Sequence, residues 1–441
     1  MAHQGSIMQT ENLIRQLQKN IPVLWTNPHF HDVDSTDSVT KELSGLRLEA
    51  IARWQWLESF IKERFPELQS TAGILDAPLI ELPDQYQPLG AHPDTGRYLI
   101  QEDHQFPIAG SVKARGGFYE VLLFAESLAR QHGLLTELSP STALGSDEAR
   151  ALFSQYRIGV GSTGNLGMAI GLMSAALGFQ AEVHMSVEAK EWKKQRLRQH
   201  GVKVVEHSGD YAKAVEAGRQ QAELDEKAYF VDDERSKALF VGYSTAATCV
   251  QQKLAMQNIE VSAEHPLLVY IPCGVGGAPG GIAFGLRQLF APHVHIFFVE
   301  PCASPCVLAN LASSALANED SVRDEVSVYD WGLNNQTIAD GLAVPTASGF
   351  VCSVMQQRLS GVITASDEEM LDRLRQLYKQ TGIKIEPSAA AALLGPERLL
   401  NTIEGQTYLQ RQHINLSKAT HILWTTGGSL VPEEIFSSWL K

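Results

Sequence analysis

The sequence predicts an α/β fold of parallel sheets with helices on both faces, in a chain of 441 residues that is long enough for two or three domains. Three observations predict it. From Tyr98 onward, short apolar runs alternate with amphipathic stretches of helical period. The glycine-rich segments fall just after those runs, where ligands sit in such folds, beyond the carboxyl ends of strands. No internal repeat or low-complexity tract competes with this pattern.

Residues 1–7 read as an arbitrary leader. Residues 47–67 predict an amphipathic helix, with Leu48, Ile51, Trp54, Leu57 and Ile61 at helical spacing. The segment 68–97, rich in Pro, Asp and Gly, predicts an irregular connection. Strands are expected at Tyr98–Gln101, Ile158–Val160, Ala181–Met185, Val202–Glu206, Ala228–Val231, Leu267–Ile271, His295–Val299 and His421–Trp424. Helices fit between them at Gly117–Arg130, Leu166–Leu177, Ala189–His200, Tyr211–Leu224, Tyr243–Gln257 and Gly280–Leu289. The acidic segment 318–330 reads as a solvated loop or helix.

Composition narrows the function classes. The chain carries 36 basic and 50 acidic residues, a net charge of −14, which disfavours nucleic acid and anionic membrane as partners. The five cysteines, Cys249, Cys273, Cys302, Cys306 and Cys352, form no Cys-x-x-Cys pair, and no secretory signal opens the chain. A reducing cytoplasm is the expected setting. Residues 266–286 are uncharged and long enough to span a bilayer, but their six glycines and three prolines predict strand, loop and helix instead.

Four segments carry chemistry. Lys113 follows the turn Ala109-Gly110-Ser111-Val112 and precedes a helical stretch. A helix start favours anions, so a lone cation there is unusual unless it is used, and an amine that forms a Schiff base explains it. Gly161-Ser162-Thr163-Gly164-Asn165 follows a strand and precedes a helix. Its hydroxyls and amide can hold a carboxylate at unpaired backbone N–H groups, or simply cap the helix. The segment Pro272–Gly281 is glycine-dense between a strand and a helix. Its amides suit a phosphate better than strand–helix packing alone requires. Trp424-Thr425-Thr426-Gly427-Gly428 follows the last strand and places a hydroxyl where it can face a heteroaromatic nitrogen.

A rival reading exists. Gly159–Gly164 is a literal G-x-G-x-x-G between strand and helix, the pattern of a nicotinamide dinucleotide site. Such a site needs an acidic residue at the end of the next strand, and Glu188 comes beyond that end. No P-loop and no H-E-x-x-H zinc motif occurs.

In order along roughly residues 45–440, these segments resemble the fold-type II pyridoxal-phosphate enzymes, the family of serine and threonine dehydratases, and most closely its members that act on D-serine. The matching segments are Gly110–Gly117, Phe153–Gly167, Val183–Ser186 with Trp192–Lys194, Pro272–Gly285, Ala339–Val344, Glu386–Ala389 and Trp424–Gly428 followed by Val431–Glu434. The resemblance implies a two-domain fold like that of the tryptophan synthase β chain. Residues 1–150 and 236–441 would form a large cofactor-binding domain with an N-terminal helical extension, and 151–235 a small α/β domain. It implies pyridoxal 5′-phosphate on Lys113, its phosphate in Gly274, Val275, Gly276 and Gly277, Asn165 on the ring 3-hydroxyl, and Thr426 at the pyridine nitrogen. Ser162, Thr163 and Gly164 would bind the substrate carboxylate, with Thr163 a second catalytic candidate near Cα. Glu300 matches the ligand of a monovalent cation, potassium or sodium, in some relatives; it reads equally as an ordinary strand-end carboxylate. The implied partner is a small amino acid and the implied state a monomer or homodimer. Ala278, Ala109 and Asp103–Phe106 depart from the family pattern and bear on substrate choice rather than on cofactor binding.

The reaction so implied is α,β-elimination of D-serine to aminoacrylate, and from it pyruvate and ammonia. A neutral hydroxyl at the ring nitrogen leaves a weaker electron sink, which favours elimination. The α-proton of a D-amino acid points away from the face that Lys113 serves in an L-isomer. Either the substrate turns or another group, such as Thr163, takes part. The other readings are a different serine or threonine specificity, a nicotinamide oxidoreductase, and a non-catalytic member that binds cofactor or amino acid.

Overall fold

The computed structural model describes residues 2–31, 37–71, 75–83, 93–162, 164–187, 189–208, 211–317 and 326–441. Eleven strands are found among them: β1 (Leu24–Thr26), β2 (Leu79–Glu81), β3 (Arg97–Gln101), β4 (Arg157–Gly161), β5 (Gln180–Ser186), β6 (Lys203–His207), β7 (Ala228–Val231), β8 (Leu267–Pro272), β9 (Val294–Pro301), β10 (Gly361–Ala365) and β11 (Thr420–Trp424). They form two sheets, one of seven strands in the order β1-β10-β9-β8-β11-β3-β2 and one of four in the order β6-β5-β4-β7. The four-stranded sheet is parallel throughout. The seven-stranded sheet is parallel except at its rims, where β1 and β2 pair antiparallel.

The central strands are apolar on both faces because helices cover both. Every residue of β8, β9 and β11 is buried. All eight expected strands are present within a residue or two. β1, β2 and β10 were not expected. The two rim strands are three residues each, too short for a period to register, and β10 is buried at every position, so it shows no alternation. The region 68–97, expected to be irregular, contains β2.

Two helices differ from expectation. The helix expected at 47–67 runs Ser38–Arg64, opened by the Asp37 carboxylate on Val39 N and Thr40 N. Its inward face holds Arg47, whose guanidinium donates to Ser244 O and Thr248 Oγ1, while Leu48 is exposed. The stretch Tyr243–Gln257 is two helices, Lys237–Ser244 and Ala246–Met256. The first lies under the helix Gly277–Phe290, so close that a Cβ on Gly281 or Gly285 would meet Phe240 O at 2.3 Å or Ser244 O at 2.2 Å. The uncharged stretch 266–286 is strand, loop and helix, as its glycines require. Among the described residues no helix is long and apolar enough to cross a membrane. Most of the acidic segment 318–330 lies outside the described residues; its last part joins a 3-10 helix, Val328–Trp331.

The helix Lys113–Gln131 joins the two sheets. Gly117 packs on Ala169, Ile170 and Leu166 of the helix that follows β4, and Gly116 on Tyr243 and Leu239. The first residue of this helix therefore stands between the carboxyl ends of β4, β8 and β11.

Candidate active site

A cavity opens at those strand ends. Its walls bring together Lys113, Asn165, Gly274, Gly276 and Thr426, residues up to 313 positions apart in the chain, together with Ser162, Gly164 and Val275.

The lysine is placed by backbone bonds. Ser111 bridges Gly427, and Val112 N donates to Thr426 O at 2.8 Å. Gly110 sits at φ +60°, where a Cβ would collide with Leu430 and Ser429, so the turn requires glycine. Lys113 begins its helix and sends its amine into the cavity, 6.0 Å from the Tyr243 ring centre. There Nζ donates to Asp233 Oδ2 at 2.8 Å. The other oxygen, Asp233 Oδ1, is buried and makes no hydrogen bond.

Across from the amine, the loop after β8 turns through Gly276 at φ +110° and starts a helix at Gly277. A Cβ on Gly277 would lie 2.8 Å from Asp233 Oδ1, and one on Gly274 would lie 3.2 Å from Gly341 O. Gly276 and Ala278 at the start of this helix line the cavity, and the N–H groups that open a helix have no partner within it, which suits an anion. Asn165 starts the helix after β4 and donates from Nδ2 to Glu386 Oε1 at 2.8 Å. Thr426 lies past β11 with its side chain on the cavity, while Thr425 turns inward to Gln101 O and His104. Burial lowers the His104 pKa to about 4, so this imidazole is neutral near pH 7.

Ser162 caps the Asn165 helix. Its Oγ accepts from Gly164 N at 3.1 Å and Gly167 N at 3.0 Å, which leaves its hydroxyl proton for a ligand. Thr163 lies outside the described residues. Glu300 is fully buried beneath the glycine loop. Its two oxygens accept from Val307 N and Leu308 N at 2.8 and 2.9 Å, at the start of the helix Cys306–Ala317. Cys306 Sγ lies 3.2 Å from Gly274 O and 3.6 Å from Glu300 Oε1. Burial pushes the Glu300 carboxyl up to about 8 against these donors. Among the described residues no group of three or more His, Cys, Asp or Glu is arranged to hold a metal ion.

Sequence reasoning missed four side chains here. Asp233 stands in an acidic run after β7 that no motif singled out. Asp340, Glu386 and Lys193 fall in segments the sequence singled out, but nothing in their spacing showed that they meet. Two glycines of the rival dinucleotide motif serve packing: Gly159 lies against Phe230, and a Cβ on Gly161 would meet Val215 at 2.5 Å.

Residues 71–409 match the family model described as "Pyridoxal-phosphate dependent enzyme". The chain belongs to this family. A protein of Acidovorax ebreus (strain TPSY) described as a probable D-serine dehydratase is 48% identical over 438 residues, covering 98% of this chain and 96% of that protein. One from Bacillus cereus (strain 03BB102) with the same description is 46% identical over 436 residues, 97% of this chain and 95% of that one. Among solved structures, holo diaminopropionate ammonia lyase from Escherichia coli aligns with a TM-score of 0.71 at 17% identity, covering 95% of this chain and 96% of that one. Threonine deaminase isoform 2 from Solanum lycopersicum aligns with a TM-score of 0.61 at 18% identity, covering 95% and 97%. These likenesses establish the fold, the one expected from the resemblance.

The residues present fit pyridoxal phosphate. A primary amine and a glycine cradle that a Cβ would fill share one cavity.

Proposed function

We propose that the chain eliminates water across Cα and Cβ of D-serine, yielding pyruvate and ammonia. The observation that carries the reaction type is the Lys113 amine at the strand ends, facing the Gly274–Gly277 helix start across one cavity. The relatives described as probable D-serine dehydratases, aligned over nearly the whole chain, support the substrate. A structure of the Escherichia coli lyase in complex with D-serine, with a TM-score of 0.69 at 16% identity, has the same fold.

When bound, pyridoxal phosphate supplies the electron sink that accepts the charge left at Cα. Lys113 would hold the cofactor covalently, and its amine, when free, would be a base at the cavity wall. Gly274, Val275, Gly276 and Gly277 would hold the phosphate through backbone N–H groups and the positive end of their helix. Asn165 would bond the ring 3-hydroxyl. Thr426 would offer the ring nitrogen a neutral hydroxyl. Ser162, Thr163 and Gly164 orient the substrate carboxylate, and Thr163 or Lys113 takes the α-proton. The β-hydroxyl leaves as water, and the aminoacrylate released takes up water to give pyruvate and ammonia. Glu300, buried beneath the glycine loop, would hold a monovalent cation in this reading.

The two sheets are read as two domains, 151–235 and the rest. The five cysteines are free, which suits the cytoplasm.

The test is keto-acid release, pyruvate from D-serine and L-serine and 2-oxobutyrate from both threonines, with and without potassium. The reading expects the highest kcat/KM with D-serine and a rise with potassium. Pyruvate from L-serine alone would overturn the substrate, and bound cofactor without any keto-acid release would overturn the activity.

A further inference from the structure

Lys193 is the second lysine beside this cavity, and the reading above gives it no role. It stands on the helix Glu191–Gln199, which follows β5 of the four-stranded sheet. Its side chain is 3% exposed, and its ammonium donates to Asp340 Oδ2 at 3.0 Å. Asp340 opens the 3-10 turn Asp340–Leu342 on the far wall, outside the four-stranded sheet. The ammonium reaches it by passing over Gly164: a Cβ there would lie 2.9 Å from Nζ. Burial works against the charge on Lys193, but Asp340 and Glu386 outweigh it and raise its pKa.

Glu386 completes the cluster. It is buried, lines the cavity and accepts from Asn165 Nδ2 at 2.8 Å. Burial pushes its carboxyl up, Lys193 draws it down, Asp340 pushes it up again, and the Asn165 amide draws it down. The chemistry of the Asn165 contact depends on that balance. A carboxylate only accepts, so it can bond the amide only through Nδ2. A neutral carboxyl can also donate, and the amide could then turn its oxygen toward Glu386 and reverse what it offers the cavity.

We propose that Lys193 is a positioning residue for the elimination: clamped on Asp340, it ties the two walls of the cavity together and, through Glu386, fixes the orientation of the Asn165 amide. The proposal rests on the cofactor lying in this cavity. Lys193 holds its place by charge, so methionine in its place keeps the bulk and loses the function, whereas arginine keeps the cation.

The experiment compares pH profiles of kcat and kcat/KM for pyruvate release by the holoenzymes of the parent, Lys193→Met, Lys193→Arg and Asp340→Asn. Lys193→Met is expected to lower kcat on the order of a hundredfold, the scale of a misplaced reacting group. Its acidic limb moves to higher pH, because Glu386 keeps its proton longer. Lys193→Arg keeps the limb in place. Asp340→Asn moves it to lower pH, because the acid that pushes Glu386 up is gone. That opposite shift carries the test alone if Lys193→Met does not fold. Acidic limbs that coincide in all four proteins, or equal losses in Lys193→Met and Lys193→Arg, would overturn the proposal. A parent that releases no pyruvate overturns the reading of function instead.

Discussion

Lys113 Nζ and Asp233 Oδ2 lie 2.8 Å apart at the floor of the cavity, while the second oxygen of Asp233 is buried without a partner beneath the glycine loop. The carboxylate thus touches the amine on one side and limits the phosphate cradle on the other. Nothing larger than hydrogen fits between Asp233 and Gly277.

Gly277→Ala is therefore expected to weaken cofactor binding by about tenfold or more, as a contact too close to keep forces the loop to shift. Its added Cβ would sit 2.8 Å from Asp233 Oδ1. Cofactor titration followed by visible absorbance measures it. Asp233→Ala in the same chain should recover part of the loss, and no recovery would separate the two residues.

Thr426→Val keeps the volume and removes the hydroxyl. Cofactor loading on Lys113 should persist, while turnover falls by about tenfold or more, as for loss of one well-placed polar group. Turnover equal to that of the parent would leave the hydroxyl without a part in the reaction.

Arg115, two residues past the lysine, anchors the helix start. Its guanidinium donates to both oxygens of Asp103 at 2.6 and 2.7 Å and to Asp76 at 2.6 Å. Asp103 also accepts from Trp424 Nε1 at 2.9 Å, which ties the lysine helix to the end of the strand that leads to Thr426. Arg115→Met leaves Asp103 buried without its cation and should cost about 3 kcal/mol or more of stability. A lowered thermal midpoint is the readout; an unchanged midpoint would show that Trp424 and Gln101 suffice for Asp103.

Glu120, on the same helix, gives a pH signature. Burial raises its carboxyl to about 7, although Ser236 and Tyr229 donate to it. The folded chain keeps this proton where the unfolded chain, with an ordinary carboxyl near 4.5, has released it. Stability thus falls as pH rises from about 4.5 to about 7 and levels off above. Glu120→Gln should flatten that slope in thermal melts. A slope identical to that of the parent would assign it to other groups.

How much of this was legible in the sequence follows from the range of each signal. The strands of the central sheet and the turns that end them are local, so Lys113, the Gly274–Gly277 loop and Thr426 could be read from neighbouring residues. The cavity confirms that those segments converge. Asp233, Asp340 and Lys193 could not be read this way. Each is a charged residue among others, and it becomes distinctive only when the fold brings it beside a partner 120 or 147 positions away. Arg47 and Leu48 show the same limit on one helix: hydropathy chose the leucine for the core, and two distant hydrogen-bond acceptors chose the arginine.

The account turns on a covalent bond between Lys113 and the cofactor. Borohydride reduction of the holoenzyme, followed by digestion and peptide mass spectrometry, tests it most directly. The account predicts a reduced pyridoxyl adduct on the peptide that contains Lys113 and loss of that adduct in Lys113→Ala. An adduct on Lys193, or holoenzyme that yields none, would contradict it.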